Sequence, residues 1–107
     1  MRLTQEDRAV VDNLAKRLKS EIGAEQVVLY GSAARGTLDS ESDIDLLVVL
    51  PHVDWEIEKQ VGGLAFEAGL EIDRVISTLC FSTDEIKQPI RRNSPLLRNI
   101  AREGVSL

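Results

Sequence analysis

Residues Val28 to Leu50 read VLYGSAARGTLDSESDIDLLVVL, and this stretch decides the fold. An apolar segment from Gln26 to Tyr30 stops at Gly31-Ser32, and a second apolar segment runs from Asp43 to Leu50. Each segment predicts a β-strand, and the second is apolar on both faces beyond its first residues, as central strands are. The sequence therefore predicts two core strands joined by a short polar connection, with a helical turn at 33–35.

Capping residues and apolar periodicity predict the elements around these two strands. Together they give the order α-β-α-β-α-β-α-α, an α/β (α+β) arrangement in which a small sheet is backed by helices on one side. Residues 1–107 are expected to form a single domain of ordinary size. The flanking predictions are a helix from Thr4 to Gly23, a helix from Asp54 to Gly69, a strand from Glu71 to Ile76, a short helix near Asp84 to Lys87 that starts at Ser82 or Thr83, and a helix from Ser94-Pro95 to Gly104.

Composition excludes several classes of protein. The chain has 107 residues, of which 43% are hydrophobic and 29% charged, with a net charge of −5. An acidic chain without a basic face is not expected to bind nucleic acid directly. Single Cys80 and His52 argue against an internal disulfide, a zinc cluster or a histidine triad. No apolar run is long enough for a membrane span and the first residues are too polar for a signal peptide, so we expect a cytoplasmic protein.

Two aspartates, Asp43 and Asp45, open the second strand. Side chains two residues apart on a strand point to the same face, so these Cα atoms lie ~7 Å apart with converging carboxylates. Unpaired carboxylates at a core strand repel each other and resist burial, and a divalent cation removes both costs. Magnesium or manganese suits hard oxygen ligands. A solvated acidic loop end, within DSESDID, is the alternative interpretation.

The other half of the predicted site is Gly31-Ser32. Glycine allows close approach of the backbone to a ligand, and the start of a helical turn offers free N–H groups to a phosphate. A site with two metal ions needs a third carboxylate, for which Asp73 on the predicted third strand is the best candidate and Glu71 the alternative. Asp73 could instead form an ion pair with Arg74 or Arg35.

Four further residues leave alternatives open. Arg35 could bind phosphate or pair with Asp39, and Ser42 could touch a ligand or cap the turn before the aspartates. Trp55 and Phe66 are expected to pack within the protein rather than stack on a base.

The pattern G-S-x10-D-x-D, here Gly31, Ser32, Asp43 and Asp45, resembles the motif of the DNA polymerase β-like nucleotidyltransferases. The longer string GSAARGTLDSESDIDLLVVL and the ending IAREGV, residues 100–105, resemble the minimal nucleotidyltransferases of that superfamily. The resemblance implies a small mixed sheet packed by helices. It also implies two magnesium ions on Asp43 and Asp45, with Asp73 binding the ion nearest the attacking hydroxyl and Ser32 holding phosphates.

The resemblance further implies transfer of AMP from ATP to a hydroxyl group. Minimal nucleotidyltransferases are associated with HEPN-domain toxins, which they neutralise by adenylylating a tyrosine, so a hetero-complex or a homo-oligomer is expected. Two alternatives remain: an antitoxin that neutralises by binding alone, and a transferase for a small molecule such as an antibiotic. The latter normally carries a second domain for its acceptor, for which this sequence has little room.

Overall fold

A computed structural model describes residues 1–107 as a four-stranded sheet with helices on both faces. The strand order is β3-β2-β1-β4, with β1 antiparallel to both neighbours and β2 parallel to β3. The small mixed sheet packed by helices is therefore confirmed. The elements are α1 (Gln5–Arg17) with a π-helical turn (Leu18–Ile22), β1 (Gln26–Tyr30), α2 (Gly31–Arg35), β2 (Ile44–Leu50), α3 (Trp55–Ile72), β3 (Ile76–Ser82), α4 (Thr83–Lys87), α5 (Pro89–Arg92), α6 (Pro95–Glu103) and β4 (Val105–Ser106).

Four helices begin where their capping residues predict. In each case the side-chain oxygen of the cap accepts the backbone N–H three residues later, which satisfies one of the free donors of the first turn. In α4 this bond is reciprocal, because the Glu85 carboxylate also accepts the N–H of Ser82. None of the helices combines the length and the apolar character needed to cross a bilayer. The four caps are Thr4, Asp54, Ser82 and Ser94.

The predicted third strand is misplaced. Helix α3 does not end at Gly69 but continues to Ile72, because Ile72 extends the apolar stripe that packs on the core. Gly69 lies inside the helix, where a Cβ atom would collide with the carbonyl oxygen of Arg74. The helix ends at Asp73, whose φ of 53° is left-handed, and the strand follows at Ile76–Ser82.

The two faces of the sheet carry different layers. Alternate residues of β1, β2 and β3 pack against α1 and α3 in a cluster of 17 buried hydrophobic residues. The opposite residues, including Leu47 and Val49 of β2, pack against Leu97 and Ile100 of α6 in a cluster of four. The expectation of helices on one side only is wrong, because α6 folds back across the second face and is followed there by β4, which pairs with β1.

Candidate active site

The carboxylate pair lies at the amino-terminal end of β2, on the face that α6 covers. Asp43 directly precedes the strand, and Asp45 lies on the same face of the strand as Leu47 and Val49 of the smaller cluster. Burial raises the pKa of the Asp45 carboxyl, and the nearby charge of Asp43 raises it further. The two aspartates thus face the same space and interact unfavourably.

Gly31 brings the start of α2 against this pair. Its φ is +71°, a left-handed conformation that glycine adopts without strain. A Cβ atom at this position would lie 2.5 Å from Oδ2 of Asp45, so only glycine leaves room for the carboxylate. The register pairs Tyr30 with Asp45, which fixes the end of β1 beside the start of β2. The two halves that the sequence predicts are therefore adjacent.

Ser77 is the neighbour of the pair that the sequence interpretation missed. It lies opposite Asp45 in the parallel β2–β3 register, and its Oγ donates a hydrogen bond to Oδ2 of Asp43 at 3.3 Å. The run ISTLCFS, rich in β-branched and aromatic residues, could have indicated this strand. The misplaced third strand hid it, because that prediction aligned Asp73 with the pair instead.

Asp73 does not lie on a strand. It is exposed at the end of α3, and Glu71 is exposed on the last turn of the same helix. No three His, Cys, Asp or Glu side chains come together as a metal-binding group anywhere in the chain. The prediction that Asp73 completes a three-carboxylate site is therefore not realised in the structure, since the strand residue beside Asp45 is a serine. Neither of the ion pairs considered for Asp73 forms.

Arg35 remains close to the site. Its guanidinium pairs with Oε2 of Glu103 at 3.4 Å rather than with Asp39, and both side chains are partly exposed. Its positive charge also opposes the upward shift of the Asp45 pKa, so the guanidinium lies within electrostatic reach of Asp45. An exposed pair of this length contributes little stability, and the guanidinium can turn to a phosphate at small cost.

Ser42 belongs to the loop before the site. The backbone N–H of Asp39 donates to Ser42 Oγ at 3.1 Å, and the Ser42 hydroxyl donates to Oδ1 of Asp39 at 3.0 Å. The guanidinium of Arg74 donates to the carbonyl oxygens of Asp39 and Ser42, both at 3.0 Å. Ser42 therefore shapes the turn that delivers Asp43.

Hard oxygen donors make this edge suitable for a divalent cation. Two carboxylates and a hydroxyl lie together, and burial of Asp45 and the charge of Asp43 both disfavour the ionised form of Asp45 when no cation is bound. Magnesium or manganese would remove that cost and take its remaining ligands from water or phosphate oxygens. The donors fit one ion held by both carboxylates, but they offer no further carboxylate for a second one.

The comparison with family models places the chain in a known class. The model of the nucleotidyltransferase domain matches residues 11–105, which is most of the chain. The chain therefore belongs to the nucleotidyltransferase domain family, a family of transferases, and the resemblance stated from its motifs is confirmed.

Curated relatives carry the same domain in larger or different proteins. A bifunctional uridylyltransferase/uridylyl-removing enzyme of Burkholderia orbicola is 32% identical over 96 residues, 82% of this chain but 11% of that enzyme. A candidate protein adenylyltransferase of Methanocaldococcus jannaschii is 36% identical over 58 residues, 53% of this chain and 59% of that protein. The chain thus spans about a tenth of the length of the uridylyltransferases it matches.

Solved structures share the fold. A toxin-antitoxin complex with AMP-PNP contains a chain that superposes with a TM-score of 0.61 at 19% identity, over 92% of this chain and 69% of that one. A mutant of the toxin-antitoxin MntA-HpeT gives the same TM-score at 21% identity, over 98% of this chain and 72% of that one. At these identities the likeness supports the fold alone.

Proposed function

We propose that this chain transfers AMP from ATP to a hydroxyl group of a partner protein. The observation that carries the proposal is that the backbone of Gly31 lies so close to the Asp45 carboxylate that a Cβ atom would not fit, which puts the candidate phosphate-binding turn beside the candidate cation-binding pair. A metal-bound triphosphate needs both within one small space. The relatives that transfer nucleotidyl groups and the family of the chain support this assignment.

Each residue of the candidate site has its own role in the transfer. The backbone at Gly31-Ser32 and the Ser32 hydroxyl bind the terminal phosphates, and Arg35 can turn to the same anion. Asp43 and Asp45 would hold Mg²⁺, which would neutralise charge on the phosphates and on the leaving pyrophosphate. The acceptor oxygen bonds to the α-phosphorus as the bond to the pyrophosphate oxygen breaks. Catalysis then rests on positioning and charge stabilisation, which require few protein groups.

Apart from the cation-binding pair, this chain places no carboxylate where it could take the proton of the acceptor hydroxyl. Ser77 occupies the position beside Asp45, and Asp73 lies at the end of α3. The proton therefore goes to water or to a base that the acceptor protein supplies. A phenolic hydroxyl suits such a site better than an aliphatic one, because its pKa of about 10 makes the oxygen easier to deprotonate.

We propose a tyrosine of a HEPN-domain toxin as the acceptor, which would make this chain an antitoxin. The toxin-antitoxin structures share the fold with this chain and one of them contains AMP-PNP, so this partner and this nucleotide are the first to test. This proposal places the reaction in the cytoplasm, where ATP is available.

The test is transfer to a purified HEPN-domain protein. The two proteins are incubated with Mg²⁺ and ATP, and intact mass and peptide mapping locate any adenylyl group. UTP is run in parallel because of the uridylyltransferase relatives, and aminoglycosides are included as competing acceptors. We expect an adenylylated tyrosine, absent with Asp45→Asn. Labelling of an antibiotic without labelling of the partner would reject a protein acceptor.

A second function, neutralisation by binding alone, is favoured by one observation. The chain lacks a third carboxylate beside the pair, which a catalytic role would use to activate its acceptor. This function predicts that Asp45→Asn still silences the toxin. Loss of neutralisation in that variant, with complex formation retained, would favour catalysis.

A further inference from the structure

Two surface features lie outside the candidate active site, and only one of them has charges that select a ligand. The first is apolar: Trp55 and Phe66 of α3 are 71% and 67% exposed, so the expectation that they pack within the protein is wrong. The second is a pocket of about 340 Å³ between the segment that leads into α1, helix α2 and strand β4. The charged residues that line this pocket are three arginines, and no acidic residue lines it.

The three arginines of the pocket are Arg2, Arg8 and Arg35, and they surround one depression in a chain whose net charge is −5. Guanidinium groups that face the same space repel one another, and a concave surface of one sign concentrates its electric field. A bound anion would remove this repulsion. The pocket therefore favours a negatively charged ligand, against the overall charge of the chain.

The ion pairs of these arginines leave most of their N–H donors available. Arg8 contacts Asp12 through Nε at 2.9 Å, and the two side chains are 43% and 46% exposed. Arg35 contacts Glu103 through one nitrogen at 3.4 Å. Neither carboxylate lines the pocket, and Arg2 pairs with no carboxylate. Exposed pairs of this kind are worth about 1 kcal/mol or less, so the arginines can turn to a ligand at small cost.

The fold holds Arg2 at the pocket. Met1 exchanges two backbone hydrogen bonds with Leu38, at 2.6 and 2.9 Å, and Leu38 is buried in the larger cluster. Gly36 ends α2 with a φ of +76°, and a Cβ atom there would lie 3.2 Å from Cγ of Arg2. Glycine thus leaves room for the arginine stem to lie against the end of α2. The position of Arg2 therefore follows from its contacts with the loop after α2.

The base of the pocket is apolar. Leu29 of β1 and Val105 of β4 are neighbours in the sheet, and Leu3 and Ala33 lie beside them in the lining. The volume falls in the range of small-molecule pockets, roughly 300–1,000 Å³. Arginine forks match the several oxygens of a phosphate group, and the apolar base suits an organic group attached to it. An acidic protein surface would leave that base uncovered.

The pocket is separate from the carboxylate pair. Leu29 and Ala33 belong to the cluster under α1 and α3, whereas Asp45 lies on the face that α6 covers. Helix α2 connects the two places, because it starts at Gly31 beside Asp45 and ends at Gly36 in the lining of the pocket. A ligand in the pocket is therefore additional to a nucleotide at the pair.

We infer that this pocket binds a small organic phosphate, whose phosphate group contacts Arg2, Arg8 and Arg35 and whose organic group lies on the apolar base. The inference goes beyond the proposed function and does not depend on it, since the arginines at 2 and 8 take no part in the proposed transfer.

The probe is phenyl phosphate, titrated into the full chain at low salt with EDTA present, so that no cation can link it to the carboxylate pair. Phenol lacks the anion, and benzoate carries a single carboxylate on the same ring. We expect phenyl phosphate to bind at least about tenfold more tightly than either control, because its dianion engages more guanidinium donors. It should shift the NMR amide signals of Ala34, Gly36 and Val105, which line the pocket.

Substitutions at the two arginines outside the proposed active site test the assignment. Arg2→Gln and Arg8→Gln should each weaken binding of phenyl phosphate by about tenfold, as expected for loss of a charged hydrogen bond. Arg2→Lys keeps the charge without the fork, and its affinity should fall between those of wild type and Arg2→Gln. Lys16→Gln is the matched control, because it removes a positive charge from an exposed position of α1 outside the pocket and should bind as the wild type does.

Four outcomes would overturn the inference. Phenol or benzoate could bind as tightly as phenyl phosphate, or Arg2→Gln and Arg8→Gln could bind it unchanged while giving folded NMR spectra. Shifts at Gly31 and Ser32, without shifts at Gly36, would assign the probe to the candidate active site. A short glutamate peptide that binds through Arg2 and Arg8 more tightly than phenyl phosphate would assign the pocket to an acidic protein segment instead.

Discussion

The face of the sheet that α1 and α3 cover buries 17 hydrophobic residues in one cluster, whereas the face under α6 buries four. The first face holds no chemical group of the candidate site. The second carries Asp43, Asp45 and Ser77 along the edge that α6 leaves free. Stability and chemistry are thus separated by the alternation of side chains along β2.

This separation allows a charged pair on a strand that is otherwise apolar. Asp45 is only partly buried, so its carboxylate keeps access to water and to a cation. The same pair under α1 and α3 would lose its hydration, and its cost would be several times larger. The sparsely covered face therefore has a function: it keeps the pair accessible while the opposite face supplies the free energy of folding.

The largest expected effect is on the carboxylate pair. Asp43→Asn or Asp45→Asn should lower the rate of transfer by about 10³-fold, because the cation loses a charged ligand at the reacting phosphate. Thermal unfolding should show an unchanged or more stable fold. Glu41→Gln is the control, since it removes an exposed charge from the same loop outside the pair. Wild-type rates in the double variant would show that the pair does not hold the cation.

The second largest expected effect is on stability, and it compares one buried leucine on each face of the sheet. Leu46 is completely buried under α1 and α3, and Leu97 is nearly buried on α6. Leu46→Ala should lower the free energy of unfolding by about 3 kcal/mol, and Leu97→Ala by about 2 kcal/mol, since the smaller layer can relax around the change. Chemical denaturation followed by circular dichroism measures both. A larger loss from Leu97→Ala would mean that the small cluster is the dominant core.

The sequence predicted those features of the fold and of the candidate site that depend on local chemistry. The capping residues Thr4, Asp54, Ser82 and Ser94 located four helix starts, and Gly31-Ser32 located the turn beside the pair. Each of these features depends on hydrogen bonds or backbone angles within a few residues, so the local sequence determines it.

The third strand could not be located in the same way. Ile72 and Ile76 both fit a strand that includes Asp73, and only the packing of Ile72 on the core shows that α3 continues. That error moved the third carboxylate onto the sheet and hid Ser77. The exposed Phe66 was missed for a related reason, because an apolar residue on a helix has the same sequence pattern whether the chain or a partner covers it.

A smaller effect is expected at Gly31. Gly31→Ala forces a Cβ atom against Oδ2 of Asp45 and strains a left-handed backbone, so affinity for Mg²⁺ with ATP should fall by about tenfold and stability by about 1 kcal/mol. Gly23→Ala is the matched control, because its φ is +85° but nothing lies within 4 Å of its Cβ. Gly31→Ala should lose at least as much stability as Gly23→Ala, because only its Cβ atom meets Asp45. An equal loss of nucleotide affinity in Gly23→Ala would mean that backbone strain, rather than contact with Asp45, causes the effect.

The smallest effect is the pH dependence of stability in the absence of cation. Burial and the charge of Asp43 raise the pKa of Asp45 in the folded chain, so the folded state binds that proton more tightly than the unfolded state. The resulting stability is fully present below the unfolded pKa and is lost as pH rises through the folded pKa. Asp45→Asn should therefore match the wild type near pH 3 and exceed its Tm increasingly as pH rises above about 4.

The pKa of Asp39, in the loop before the pair, is shifted in the opposite direction. The backbone N–H of Glu41 and the Ser42 hydroxyl lower the pKa of its carboxyl, so its contribution is present at neutral pH and is lost as pH falls. Asp39→Asn should consequently lower Tm at pH 7 and lose that difference in acid. Adding Mg²⁺ and ATP should reverse the order for Asp45 only, because the bound cation stabilises the wild type and not the asparagine variant. A Tm advantage of Asp45→Asn that persists with Mg²⁺ and ATP would show that no cation binds at this edge of the thinly covered face.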